Sequence, residues 1–297
     1  VSTGTDPLAP LTQLPGVPDA VAEVRKAVDR LYGHRVMRRR AAEVTSESAL
    51  RGARASAALA GADWPLEEVR RRSDFSADHE SRTVGAALRI AAESGQLLSV
   101  WRHSPLQVLA RLHLLAVGDA DAAAGRPRQA GEVAEELFPL ELKPVESVEA
   151  DPAAGEPVPA LPPAPGAEEV AARLDQLSRL LVARAEGQGV GTPALVVASV
   201  VHGELLALRP FGSHNGVIAR AAQRIVLLAE GLDPKSICPA EVGLAELGTD
   251  AYRRALAGYL AGTEEGLAAW IGHCGRALRL GVRESTAVCE AMQRGMV

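Results

Sequence analysis

Val21, Val24, Val28 and Leu31 recur at three- and four-residue spacing, the period of one buried helix face, and predict a long helix from Val17. The basic run Arg35, Arg38, Arg39 and Arg40 follows it. An alanine-rich stretch, Ser48 to Ala60, predicts continued helix, which Gly61 and Pro65 break. Further helices are predicted over Glu80–Ser94, Pro105–Val117 and Gln129–Leu137. The pattern then changes. Between Pro139 and Pro165 lie eight of the nineteen prolines, which exclude both helix interior and central strand. Leu142, Val145 and Val148 in that stretch could line a short edge strand. After Gly166 the helical period returns over Glu168–Ala185, Pro193–Leu208, Gly216–Glu230, Thr249–Leu260 and Glu264–Leu280. Thr192-Pro193 reads as N-cap and first helical residue, and Gly231 with Pro234 as a helix stop.

The chain thus divides into a flexible tail over 1–16, an N-terminal helical part over 17–137, a Pro-rich linker over 138–166, a second helical core over 167–285 and a tail over 286–297. Two helices stand apart from the rest. Leu195, Val196, Val197, Val200, Val201, Leu205, Leu206 and Leu208 nearly surround the first, and Ile218, Ala221, Ala222, Ile225, Val226, Leu227 and Leu228 the second. A helix apolar on most faces belongs in the middle of a bundle.

Composition sharpens the fold class. Aromatic residues are only 3% of the chain and hydrophobic residues 47%, so the core is built from Ala, Leu and Val, and an all-α fold is expected. A net charge of −5 argues against a nucleic-acid surface. Cys238, Cys274 and Cys289 are too few and too dispersed for a disulfide framework or a zinc site. Val1 to Leu14 has no signal-peptide pattern and no run is long enough to span a membrane, so a cytoplasmic protein with no membrane partner is expected. Three lysines among many arginines fit GC-rich coding and a bacterial source.

Between the two central helices sits the polar loop Arg209-Pro210-Phe211-Gly212-Ser213-His214-Asn215-Gly216. A loop on a rigid scaffold is where sites tend to be. It feeds a helix N-terminus, whose first N–H groups have no internal partner and whose dipole favours an anion. Arg209, Arg220 and Arg224 flank it. The loop is therefore either a phosphate or carboxylate site, or an ordinary turn capped by Asn215 and Gly216.

The loop resembles the signature of the Fic (fido) family, His-Pro-Phe-x-(Asp/Glu)-Gly-Asn-Gly-Arg-x-x-Arg. Pro210, Phe211, Asn215, Gly216 and Arg220 match it, whereas Arg209, Ser213, His214 and Val217 depart from it. Ser104–His113 is similar to the family's helix before its flap, and Pro162–Pro165 to its Pro-rich entry into the next helix. His202 stands seven residues before Arg209, where relatives often carry His. Tyr252 to Ile271 resembles its closing helix pair. Ser56-Ala57-Ala58-Leu59-Ala60-Gly61 resembles the inhibitory helix pattern (Ser/Thr)-x-x-x-Glu-Gly, with Ala60 in place of Glu. The resemblance spans about residues 48 to 282 and implies a Fic-type helical bundle around the two central helices.

It further implies a protein adenylyltransferase ancestry: AMP transfer from ATP to a protein hydroxyl with Mg²⁺, the motif His as base, the acidic residue on the metal, both arginines on phosphates, and the inhibitory Glu pairing with the second arginine. The departures strike several of these jobs. Arg209 at the His position cannot accept a proton, because guanidinium stays protonated above pH ~12. Ser213 at the acidic position is a poor Mg²⁺ ligand, so no metal is expected. Val217 removes a phosphate contact, and His214 replaces a glycine. The expectation is a Fic-fold protein that is inactive or altered as an AMP-transferase. It would keep a loop for ATP or another nucleotide through Arg209, His214, Asn215, Gly216 and Arg220, and act as a regulatory or binding module. A protein target or regulator and a homodimer are the expected partners. Two alternatives stand beside it: an atypical nucleotidyl- or phosphoryl-transferase with His214 as displaced base, and a ligand-free interaction scaffold. His214 otherwise reads as a solvent-exposed loop His that titrates near neutral pH.

The remaining candidates read as structure. The arginines at 35–40 and 70–72 are a solvated face paired with glutamates. Gly187-x-Gly189-x-Gly191 lacks the preceding strand of a dinucleotide loop. His113 and His202 are buried helix residues, and His273-Cys274 diverge on a helix. The flap region, Gln129–Leu161, has no hairpin chemistry, and the Pro-rich segment is either a solvated linker or a strip that a partner reads.

Overall fold

The computed structural model describes residues 6–118, 121–148, 151, 153–188 and 191–296. Its helices are α1 (Val17–Tyr32), α2 (Ala41–Leu59), α3 (Leu66–Arg71), α4 (His79–Ser94), α5 (Leu98–Trp101), α6 (Pro105–Val117), α7 (Ala167–Ala185), α8 (Ala194–Leu208), α9 (Asn215–Ala229), α10 (Ala240–Leu247), α11 (Thr249–Ala261) and α12 (Glu264–Gln293). No strand occurs among the described residues.

The apolar pattern explains the layering. α8 and α9 are buried on nearly every face and pack against each other at the centre. α2 and α4 pair on one side of them, and α12 carries α1, α10 and α11 on the other. One continuous apolar core runs from Leu8 to Met292. α2 stops where its glycine demands: Gly61 has φ +102°, and a Cβ there would meet the Pro139 ring at 3.2 Å.

Five expectations are corrected. The helix over Gln129–Leu137 does not form. Gly131 sits at φ +85°, and the segment is tied to the central loop instead: Arg128 N, just before it, donates to Pro210 O at 2.7 Å and Glu135 N to Gly212 O at 3.1 Å. The edge strand over Leu142, Val145 and Val148 is an extended strap, tied by isolated bonds to Glu246 and Thr249 rather than by a ladder. The tail over 1–16 is, from Asp6 onward, docked: Leu8 and Leu14 are buried, and Asp6 pairs with Arg184 and Thr192. Thr192 therefore spends its hydroxyl on Asp6, and Pro193, not Thr192, is the N-cap of α8. The tail from 286 is the final two turns of α12, where Val288, Cys289 and Met292 are buried.

The described residues of the Pro-rich segment form no helix, yet the segment is fastened. Phe138 is buried edge-on to Tyr252 with ring centroids 5.0 Å apart, and Asp151 holds Arg254 at 2.8 Å. Gly189 of the Gly187–Gly191 run lies outside the described residues.

Candidate functional site

The loop at 209–214 turns the chain from the C-terminus of α8 into the N-terminus of α9. Two non-glycine residues in left-handed conformation bracket it: Arg209 at φ +43° and His214 at φ +61°. Such residues are strained and tend to mark functional or ancestral turn geometry. The His214 position is one that glycine would take at no cost.

Asn215 holds the turn closed. Its Oδ1 accepts from Phe211 N at 2.9 Å and its Nδ2 donates to Phe211 O at 2.8 Å. The side chain is 1% exposed and both ends of its amide are engaged. Phe211 in turn lies on His113, rings 4.3 Å apart and nearly parallel. His113 Nδ1 accepts from Gly125 N at 3.0 Å, so the neutral ring carries its proton on Nε2, which is buried without a partner.

The charges around the loop are already engaged. Arg209 Nη2 donates to Pro162 O at 2.6 Å, its Nε is buried without a partner, and burial beside Arg128 lowers its pKa. Arg128 is buried and caps the C-terminus of α8, donating to Arg209 O at 2.7 Å, Leu208 O at 3.2 Å and Pro165 O at 3.1 Å. A cation is favoured there by the helix dipole. The anion end is filled as well. Glu135 Oε1 accepts from Asn215 N at 2.8 Å. Burial raises the Glu135 pKa, against the pull of the His214 and Asn215 N–H groups and the Arg220 charge.

Arg220 is buried, with Nε on Ser56 Oγ and Nη2 on Ser56 O, both at 2.9 Å. Gly216 makes room for it: a Cβ there would stand 3.1 Å from Arg220 Nη1. Behind Arg220 lies Tyr252, whose hydroxyl is 2.6 Å from His202 Nε2. Arg224, one turn on, reaches Ser48 Oγ at 2.6 Å and Glu241 at 3.2 Å. Ala60 is the C-cap of α2 and has no side-chain polar group to offer either arginine. Val217 is buried beside a void of about 10 Å³ lined by Gly52, Ser56 and Arg224, room for one water at most.

His214 departs from the solvent-exposed reading. It is partly buried, its Nδ1 lies 2.9 Å from Ser213 Oγ, and burial first, then His113, His79 and Arg89, depresses its pKa to about 4. The imidazole is neutral at pH 7 but a weak base. No group of three His, Cys, Asp or Glu side chains that could hold a metal occurs among the described residues.

The structure therefore brings Arg209, Ser213, His214, Asn215, Gly216, Arg220 and Ser56 around one turn. Glu135 and Arg128 join them and were not found by reading the sequence, because Glu135 falls inside the helix predicted over Gln129–Leu137 and Arg128 just before it.

No family model matches the sequence, and no curated protein does. Solved structures do match. A Fic family protein from Desulfovibrio desulfuricans G20 aligns with TM-score 0.65 at 20% identity, over 91% of this chain and 74% of that one. Fic-1 from C. elegans aligns with TM-score 0.57 at 13% identity, over 91% of this chain and 71% of that one. A variant of Fic-1 aligns at 0.56, also with 13% identity, over 91% and 72%. An all-helical bundle around two central helices, joined by the loop at 209–214, is thus the Fic fold.

Proposed function

We propose that this chain is a regulatory or binding module on the Fic fold and does not carry out ordinary AMP transfer. Arg209 carries the reading. The resemblance places a general base at this position, and the residue here is a permanent cation turned onto the Pro162 carbonyl. Loss of a general base costs on the order of 10²–10⁴ in rate. Ser213 offers Mg²⁺ a neutral hydroxyl, and Val217 offers a phosphate nothing.

ATP with Mg²⁺ does not fit the loop as it stands. The Asn215 N–H that would meet a phosphate is bonded to Glu135, and Arg220 gives its Nε and Nη2 to Ser56 and also bonds Tyr252. A nucleotide belongs to this reading only as a ligand that is bound and not consumed, and a protein target or regulator, or a second copy of the chain, as the partner.

The test is incubation with Mg²⁺ and ATP labelled on its α-phosphate, in the presence of candidate protein acceptors. The unaltered chain is expected to label neither itself nor an acceptor. Label transfer that disappears in His214→Ala would overturn the reading and make the chain an atypical transferase. The variant Arg209→His with Ser213→Asp is expected to stay silent too, since neither change frees Arg220 or the α9 N-terminus.

A further inference from the structure

We infer that Glu135 is a built-in substitute for an anionic ligand, a carboxylate latch that closes the segment 126–138 over the central loop. The inference rests on the reading above that the loop does not turn over ATP, and deepens it by naming what keeps an anion out.

Three observations carry it. The first is placement. Glu135 Oε1 accepts from Asn215 N at 2.8 Å, at the first residue of α9, where the free N–H groups and the dipole of that helix favour a negative charge. The carboxylate is brought there from a segment distant in sequence and without helix of its own, so the contact is tertiary and separable from the turn. The second is the second end of the same segment. Arg128 donates to carbonyls at the C-terminus of α8, and its own N donates to Pro210 O at 2.7 Å. One short stretch thus meets both helix termini with the charge each prefers: a cation at the carbonyl end, an anion at the amide end. The third is the countercharge. Arg220 is buried and bonded to Ser56 and Tyr252, both neutral, and among the described residues no carboxylate forms an ion pair with it; its charge favours the ionised form of Glu135. An anion in that place answers both the helix and the arginine.

The latch is closed by few bonds. Glu135 contributes the Asn215 contact and its N–H to Gly212 O, and Val133 between the two anchors is exposed. Displacing the carboxylate by another anion therefore frees the Glu135 end of the 130–136 stretch, while Glu132 stays held by Arg126 and by Arg128 Nη1 on its carbonyl at 3.1 Å.

Titration with inorganic pyrophosphate in the calorimeter tests this. The unaltered chain is expected to bind weakly. Glu135→Ala is expected to bind at least tenfold more tightly, and Glu135→Gln, which keeps an acceptor for Asn215 N–H but drops the charge, to fall between them. Amide exchange gives an independent readout that survives a loss of stability. In Glu135→Ala the 130–136 amides should exchange faster, and pyrophosphate should slow exchange at 213–217 but not at 130–136. Equal pyrophosphate affinity in all three folded proteins overturns the latch, as does unchanged exchange at 130–136 in both variants. The labelling assay can fail or succeed without touching either result, so the two readings are separately testable.

Discussion

Arg220 gives two hydrogen bonds to a single residue: Nε to Ser56 Oγ and Nη2 to Ser56 O, each 2.9 Å long. The resemblance implies that an inhibitory glutamate at position 60 would pair with this arginine. Here the partner is one turn earlier, neutral, and part of the helix itself. Ser48, Gly52 and Ser56 stand at four-residue spacing on α2, and Arg220 and Arg224 at the same spacing on α9. The small residues let two guanidinium groups lie against the α2 backbone.

Ser56→Ala removes one bond to a buried charge. Such a bond contributes about 1.5–3 kcal/mol, offset by about 0.5 kcal/mol from the better helix propensity of alanine. The variant should therefore unfold in urea about 1–2.5 kcal/mol more easily. Gly52→Ala should cost more despite a larger propensity gain of about 1 kcal/mol, because its Cβ would stand 2.7 Å from Arg224 Nη1 and 3.1 Å from Glu241, forcing a buried ion pair apart. Equal urea midpoints for Gly52→Ala and the unaltered chain would contradict this account of the α2–α9 contact.

The fold was legible where periodicity was strong. α1, α4, α6, α8, α9 and α11 fall at their predicted places because each carries an unbroken apolar face that a single core can bury. The misreadings share one cause. Gln129–Leu137 has helix-forming residues, but tertiary bonds from Arg128 and Glu135 to the central loop outweigh local propensity. Asp6 looked like part of a loose tail because its partner, Arg184, is far away in sequence. The turn itself was readable from Pro210, Phe211, Asn215 and Gly216, since its geometry needs those residue types; what occupies its two helix ends was not, since charge at a helix end can come from anywhere in the chain.

Acid should destabilise the protein earlier than carboxylate titration alone would. Burial depresses the pKa of His273 to about 3 and of His214 to about 4, and lowers His202 and His113 as well. A depressed folded-state pKa means that the unfolded chain binds the proton first. Below pH ~6.5 the unfolded state takes up protons that the folded state refuses, and stability falls with pH by about 1.4 kcal/mol per unit for each such histidine. Glu135 and Glu246, whose pKa values are raised, act in the opposite sense, but they are two groups against four. The melting midpoint should therefore fall between pH 6.5 and 4.5. His273→Gln should flatten that slope whatever it does to the midpoint at pH 7, and an unchanged slope would refute the assignment.

Asp6 ties the start of the chain to the far end of α7. Its Oδ2 lies 3.2 Å from Arg184 Nη1 and accepts from Thr192 Oγ1 at 2.5 Å. Arg184 is 5% exposed and is also held by Glu230 at 2.8 Å and by the Thr192 carbonyl at 3.2 Å, so the charge stays paired when Asp6 is lost. Asp6→Ala should then cost about 1–2 kcal/mol, less than the 3–5 kcal/mol of a fully broken buried pair. Limited proteolysis should also begin to cut between residues 6 and 16, which the intact clasp and buried Leu8 and Leu14 protect.

The contact between α10 and α12 rests on glycines. A Cβ on Gly243 of α10 would lie 2.0 Å from the Ala277 carbonyl of α12, and one on Gly281 of α12 would lie 2.4 Å from Pro239 O. Both obstacles are backbone, which cannot rotate aside as a side chain can. Adding one methyl group to a filled core costs about 1–3 kcal/mol when neighbours can shift. Here α10 must move away from α12 as a body, and α10 also packs on α2, which holds Ser56 and Ser48 against the arginines of α9. Gly243→Ala is therefore expected to exceed 3 kcal/mol and to loosen the Arg224–Glu241 pair with it. Glu241 sits two residues from Gly243 on the same helix, so the strain and the ion pair share one lever arm. A double-variant cycle of Gly243→Ala with Glu241→Gln should show non-additive stabilities; strict additivity would mean that α10 yields locally and leaves the site untouched.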